Sequence, residues 1–170
     1  MRPLSEYRQP EGAAEIAELD VPVLVVGLRG NVLGPSPEYR TSTREDTPPI
    51  PSVSEALREE GILLAPLRKS ARNPYENFIF VGRASTCDVI LRDASVSKTH
   101  AVFERDGDAL WKLRDNRSHN GTWVNYARLR PNARTPVASG DAILFGAYPA
   151  YLVSPEDLRR MLAEMGPIDG

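Results

Sequence analysis

The sequence predicts an all-β protein, an antiparallel β-sandwich followed by a short helix and preceded by an irregular extension. Three observations carry this expectation. From Ile62 onward, short runs rich in branched and aromatic residues recur, punctuated by Gly, Asp, Asn and Pro at intervals of roughly 8–12 residues, the rhythm of a sandwich or barrel. Asp106-Gly107 and Asn120-Gly121 are hairpin signals, because these residue types accept the positive φ of tight turns. Between residues 62 and 153 no stretch has the length and apolar period of a helix, so the strands are expected to pair with one another.

Taken in order, residues 11–20 suit one short helix with Ile16 and Leu19 on a common side. Residues 21–28 read as a strand or as an apolar arm lying on the domain. Residues 30–53 hold Gly30, Gly34, Pro35, Pro37, Pro48, Pro49 and Pro51 among polar residues, a composition that sustains no regular element and reads as a linker or extended arm. Ser52 or Ser54 is a candidate cap for a short helix through Glu60, stopped by Gly61. Residues 1–60 are thus expected to form an N-terminal extension containing a Pro-rich arm, and residues 61–153 the sandwich. Its strands are expected at 62–64, 78–81, 88–91, 101–104, 109–114, 122–125, 142–145 and 150–153. Residues 154–170 close the chain. Ser154-Pro155-Glu156-Asp157 is a helix start, and Leu158, Met161, Leu162 and Met165 form an apolar stripe before Gly166-Pro167. The stripe is expected to pack on the sandwich.

The chain has 170 residues and a net charge of −2, unevenly spread. Residues 1–60 carry −5, residues 61–153 carry +5 and residues 154–170 carry −2. A basic module between acidic flanks would favour an anionic partner, although solvated surface charge is the better account of the counts taken alone. The longest apolar run, residues 21–28, is far shorter than the roughly 20 residues of a membrane span. Met1 to Glu6 lack the apolar stretch of a signal peptide, so the expected location is cytoplasmic, with no membrane partner. Cys87 is the only cysteine, which leaves no intrachain disulfide and no Cys-rich metal cluster.

Four elements recur in a recognisable order: Gly82-Arg83, Ser97-Lys98-Thr99-His100, Asn120-Gly121-Thr122 and Gly140-Asp141-Ala142-Ile143. The set resembles the forkhead-associated (FHA) domain family over about residues 63–153. The resemblance implies a sandwich of the SMAD/FHA type with functional loops at one end. It also implies a module that binds phosphothreonine peptides, recruiting proteins phosphorylated by Ser/Thr kinases without catalysis, cofactor or metal. Phosphothreonine offers nearly two negative charges and three strong acceptors, so its site needs cations and hydroxyl or amide donors on rigid supports. By resemblance Arg83 and Ser97 hold the phosphate, Lys98 adds a phosphate or peptide contact, and Asn120 bonds the ligand main chain. His119 stands where the family commonly has Thr and is expected to contribute a titratable donor or to reshape the pocket. Gly82, His100 and Gly121 are assigned to support of the site, and Ser95 to a candidate specificity loop. Tyr126 stands where Gly often follows the second Asn, so that turn is expected to differ.

Three rival readings follow from the same residues. A hydrolase built on Ser97, His100, His119 and Asp115 would need a nucleophile elbow or metal-spaced ligands, and neither motif is present. Nucleic-acid binding would need more than +5 and a basic-aromatic motif. A structural FHA scaffold with a silent pocket is the most serious alternative. Finally, Thr41, Thr43 and Thr47 lie among charged residues and prolines and are candidate regulatory phosphosites, through which the arm would contact the pocket of its own chain.

Overall fold

A computed structural model of the chain describes residues 1–27, 52–107 and 110–166. Its elements in order are β1 (Arg2–Pro3), α1 (Leu4–Tyr7), α2 (Pro10–Ala17), β2 (Val23–Val26), α3 (Val53–Ala56), β3 (Leu63–Pro66), β4 (Phe78–Gly82) and β5 (Val89–Ile90). There follow β6 (Ala101–Asp106), β7 (Leu110–Asp115), β8 (Thr122–Val124), β9 (Ala127–Arg128), β10 (Thr135–Val137), β11 (Ala142–Phe145), β12 (Tyr148–Val153) and α4 (Pro155–Met165). They build two facing sheets, one of seven strands in the order β1-β3-β2-β12-β11-β8-β9, the other of five in the order β10-β7-β6-β4-β5. The sandwich is mostly antiparallel, as expected. The exception is β4 with β5, where Val81 and Val89 pair in parallel.

The two-residue period of a strand divides the buried side chains between two cores. Ala150 and Leu152 of β12 face the five-stranded sheet, whereas Tyr151 and Val153 face the other way. In β2, Leu24 and Val26 belong to the inter-sheet core, and Val23 and Val25 to the outer one. The outer core is closed by Leu4, Tyr7, Ile16, Val53 and Leu158 from the helices. A helical layer therefore covers the seven-stranded sheet, and the molecule has three layers.

This corrects the boundary expected at residue 61. β2 lies between β3 and β12 inside the sheet, and all four of its residues are 0% exposed. Burial on both faces explains the unbroken Val-Leu-Val-Val run, which an alternating pattern would not produce. Each such side chain contributes about 1.5–3 kcal/mol relative to exposure. Residues 1–27 are thus an integral part of the fold.

The helices begin as their sequences dictate. At α3 the Ser52 hydroxyl accepts from the Glu55 backbone N–H at 3.2 Å, and Glu55 Oε2 accepts from the Ser52 backbone N–H at 2.7 Å, a reciprocal capping box. At α4 the Ser154 hydroxyl accepts from the Asp157 N–H at 3.2 Å, with Pro155 in the first turn. Leu158 is buried with Met161, Leu162 and Met165 packed around it, so the stripe does cover the sandwich. Arg159 Nη1 donates to the Ile16 and Leu19 carbonyls at 3.0 and 3.1 Å, which supplies donors to the open end of α2.

Two turns differ from expectation. Asn120-Gly121 is not a hairpin, because β7 and β8 belong to opposite sheets and the chain crosses between them there. The tight hairpin falls instead at Asn125-Tyr126, joining Val124 to its partner Ala127 with φ of 48° and 70°. Both central residues have the positive φ of a type I′ turn, so Tyr126 adopts the conformation that Gly usually supplies, at roughly 1–2 kcal/mol. Asn125 anchors it: its side chain donates to Asp141 Oδ1 and accepts from the Ala142 N–H, both at 2.9 Å. The short strand β10 was not expected from the sequence. It contains Pro136 and accordingly lies at a sheet edge.

Candidate functional site

The loops after β4, before β6, between β7 and β8, and between β11 and β12 meet at one end of the sandwich, held by a continuous set of hydrogen bonds. Leaving β4, the Arg83 N–H donates to the Ser97 carbonyl and the Ala84 N–H to the Lys98 carbonyl, each at 3.0 Å. Arg83 Nε donates to the Val96 carbonyl at 3.0 Å, which fixes the guanidinium against this loop and leaves its outer nitrogens for a ligand. Gly82 is required by proximity rather than by a turn, since a Cβ there would lie 2.2 Å from the Lys98 oxygen. Beneath the same carbonyl, the buried Cys87 thiol donates to it at 3.2 Å, and burial pushes its pKa up.

His100 is the fixed point of the site. It is 0% exposed. Its Nδ1 accepts from the Ser97 backbone N–H at 3.0 Å, and its Nε2 lies 2.9 Å from the Gly121 carbonyl. An acceptor at Nδ1 assigns the proton to Nε2, so the ring is the neutral Nε2–H tautomer. Burial lowers its pKa, consistent with a neutral ring. One imidazole thereby joins the Ser97 loop to the Asn120-Gly121 crossover.

The crossover itself is built on Asp115, expected from the sequence only as a member of the rival hydrolase set and not as a support of the loops. This carboxylate is 2% exposed. It accepts from the Ser118 hydroxyl at 2.5 Å, the Ser118 N–H at 3.1 Å and the Thr122 hydroxyl at 2.7 Å. The Ser118 hydroxyl in turn accepts from the Gly121 N–H at 2.9 Å. The signal available was an Asp three residues before a Ser in a loop, a common local bonding pattern.

These supports bring the expected contact residues together. The His119 N–H donates to the Ser97 hydroxyl at 3.0 Å, so the Ser97 proton is left to donate outward. Asn120 Nδ2 donates to the Ser95 carbonyl at 2.9 Å. Arg83, Lys98, His119 and Asn120 are exposed, and Ser97 is half-buried. Neither Arg83 nor Lys98 has a carboxylate partner among the described residues. Ser95 is structural in its hydroxyl, which donates to Asp93 Oδ1 at 2.6 Å and accepts from the Ala147 N–H at 3.0 Å. The turn it docks on requires Gly146, whose Cβ would meet the Ser95 carbonyl at 2.3 Å at a φ of +62°. Thr41, Thr43 and Thr47 lie outside the described residues, as does the expected arm except for Ser52 and Val53, which begin α3.

The arrangement presents two cations, a hydroxyl donor and an amide on rigid loops, the requirements of an anionic peptide site. Ser97, His100 and Asp115 are not arranged as nucleophile, base and orienting acid. The Ser97 hydroxyl meets a backbone N–H rather than a ring nitrogen, both nitrogens of His100 are bonded to backbone, and Asp115 is saturated by Ser118 and Thr122.

The FHA domain model matches residues 79–146. The E3 ubiquitin-protein ligase RNF8 of Bos taurus is 30% identical over 80 residues, covering 42% of this chain and 16% of its own length. The E3 ubiquitin-protein ligase DMA2 of Saccharomyces cerevisiae is 25% identical over 162 residues, covering 81% of this chain and 30% of its own. The chain thus spans less than a third of either relative. Among solved structures, the N-terminal FHA domain of S. cerevisiae Rad53p in complex with a phosphothreonine peptide has a TM-score of 0.49 at 20% identity, covering 59% of this chain and 91% of that one.

Proposed function

We propose that this chain, whose residues 79–146 belong to the FHA domain family, is an adaptor that binds phosphothreonine peptides and recruits proteins phosphorylated by Ser/Thr kinases. One observation carries the reading. The His100 clamp holds the Ser97 hydroxyl and the Asn120 amide beside Arg83 and Lys98, two exposed cations with no carboxylate partner among the described residues. A dianionic phosphate supplies the missing counter-charge, and Ser97 and Asn120 supply directional bonds to phosphate and peptide.

In this reading Arg83 and Ser97 take the phosphate, Lys98 widens the cationic rim, and Asn120 orients the peptide main chain. His119 supports Ser97 through its backbone. The chain acts by binding and brings no chemistry of its own. The ligase names of its longer relatives suggest that such a reader can be joined to an enzyme in other proteins. Its expected place is the cytoplasm, checked by cell fractionation. The function is tested by selection from a degenerate threonine-phosphorylated peptide library, with the phosphatase-treated library beside it. Enrichment that disappears on dephosphorylation supports the proposal. Equal retention of both libraries refutes it and leaves the silent-scaffold reading.

A further inference from the structure

Next to Asn120 the surface opens into a cleft of about 350 Å³, lined by Ser95, His119, Asn120, Trp123, Arg128 and Ala147 among others. Its floor comes from β8 and β9. Trp123 and Arg128 are direct cross-strand partners, so they share a face of the sheet, and the guanidinium carbon lies 5.3 Å from the indole centroid. Trp123 also pairs with Leu144 on β11, whose side chain packs into the outer core beneath the helices. Trp123 and Arg128 therefore lie on the face that the helices cover elsewhere. At this end the cover stops, and Arg128 is exposed.

Arg128 is held on two sides. The indole ring stacks on it, and its Nε lies 2.8 Å from the position where a Gly121 side chain would begin. A cation restrained in this way loses less side-chain entropy when it binds than a free surface arginine. It forms no ion pair among the described residues, and no Asp or Glu lines the cleft. Gly121 is two residues from His119, which bonds Ser97. Two residues of chain plus the last contact place the guanidinium within on the order of 10 Å of the phosphate loop, about three residues of an extended ligand.

We infer that Arg128, presented on Trp123, is a specificity-determining residue that selects an anionic side chain, a carboxylate or a second phosphate, flanking the phosphothreonine. The inference rests on the phosphothreonine reading above.

The experiment is a matched peptide set with phosphothreonine fixed and Asp, Asn, Leu or phosphoserine placed singly at each of three positions on either side. Affinities are read by fluorescence anisotropy for wild type, Arg128→Gln and Arg128→Lys. Thermal melts confirm that each variant is folded. In wild type one position should favour Asp over Asn by about three- to fivefold, the scale of a solvent-exposed ion pair. That ratio should fall to near one in Arg128→Gln and persist in part in Arg128→Lys. Phosphoserine exceeding Asp at the same position would identify a doubly phosphorylated ligand, and Asp matching phosphoserine an acidic one; both support the inference. A preference for Leu there, an acidic preference spread evenly over all positions, or an Asp/Asn ratio that survives Arg128→Gln overturns it while leaving phosphothreonine binding intact. Failure of wild type to bind any of the phosphothreonine peptides overturns both readings together.

Discussion

Replacing Gly82 by Ala adds one methyl group and couples the fold to the site. The new Cβ would meet the Lys98 oxygen at 2.2 Å and the Lys98 carbonyl carbon at 2.8 Å, where ordinary contact begins at 3.4 Å. The obstacle is backbone, so the Lys98 peptide must retreat by more than 1 Å. That carbonyl accepts from the Ala84 N–H at 3.0 Å and from the Cys87 thiol at 3.2 Å, and both bonds would stretch. Overpacking of about 1–3 kcal/mol with a weakened backbone bond of about 1 kcal/mol gives a loss of roughly 2–4 kcal/mol. A domain stable by about 5–15 kcal/mol survives this but melts some 5–15 °C lower. Because the displaced segment carries Ser97 and Lys98 away from Arg83, affinity for a phosphothreonine peptide should also fall, by about tenfold or more, at temperatures where the variant is fully folded. The assay is a thermal melt paired with calorimetric titration at low temperature. A Gly82→Ala protein that melts with wild type and binds equally well would rule out this coupling of fold and site.

Other expectations follow from the same structure. Leu24→Ala should cost about 2–5 kcal/mol in chemical denaturation, and deletion of residues 1–26 should leave no cooperative unfolding transition, because β2 is internal to the seven-stranded sheet; an unchanged melt would make the segment an appendage after all. Asp115→Ala strips one carboxylate from Ser118 and Thr122 and should lower both stability, by roughly 2–4 kcal/mol, and peptide affinity; a loss of affinity without loss of stability would contradict the supporting role. The pKa of His100 is depressed below its ordinary value near 6.5, so the unfolded chain takes up the proton first. Its contribution is complete above about pH 6.5 and is lost as pH falls below it, and His100→Gln should flatten that part of the melting profile against pH.

Much of the sandwich was legible because its strands are half-buried or central and separated by Gly, Asp, Asn and Pro. The role of Val23–Val26 was not, because a short unbroken apolar run fits an internal strand and a packed arm equally well, and its sheet partners are distant in sequence. Asn120-Gly121 misled for a physical reason: the residues that allow a hairpin also allow a crossover between sheets. The contact residues of the site could be named from motif order alone. Its supports could not, since the bonds from His100 to Gly121, from Asp115 to Ser118 and from Ser95 to Ala147 depend on loops that meet only in three dimensions. Arg128 was invisible as a site residue for the same reason, being aligned with Trp123 only once the Asn125-Tyr126 turn sets the register of β8 and β9.

Whether Arg83 and its neighbours receive a phosphate is decided by isothermal titration of one library-selected peptide. The peptide is used in phosphothreonine and unmodified forms against wild type and Arg83→Ala. Micromolar binding, about −8 kcal/mol, is expected for the phosphorylated form and wild type only. A loss of roughly 2–5 kcal/mol is expected in the folded Arg83→Ala variant. Equal affinity of wild type and variant for the phosphorylated peptide, or of wild type for both peptide forms, would mean that Arg83 and its neighbours receive no phosphate.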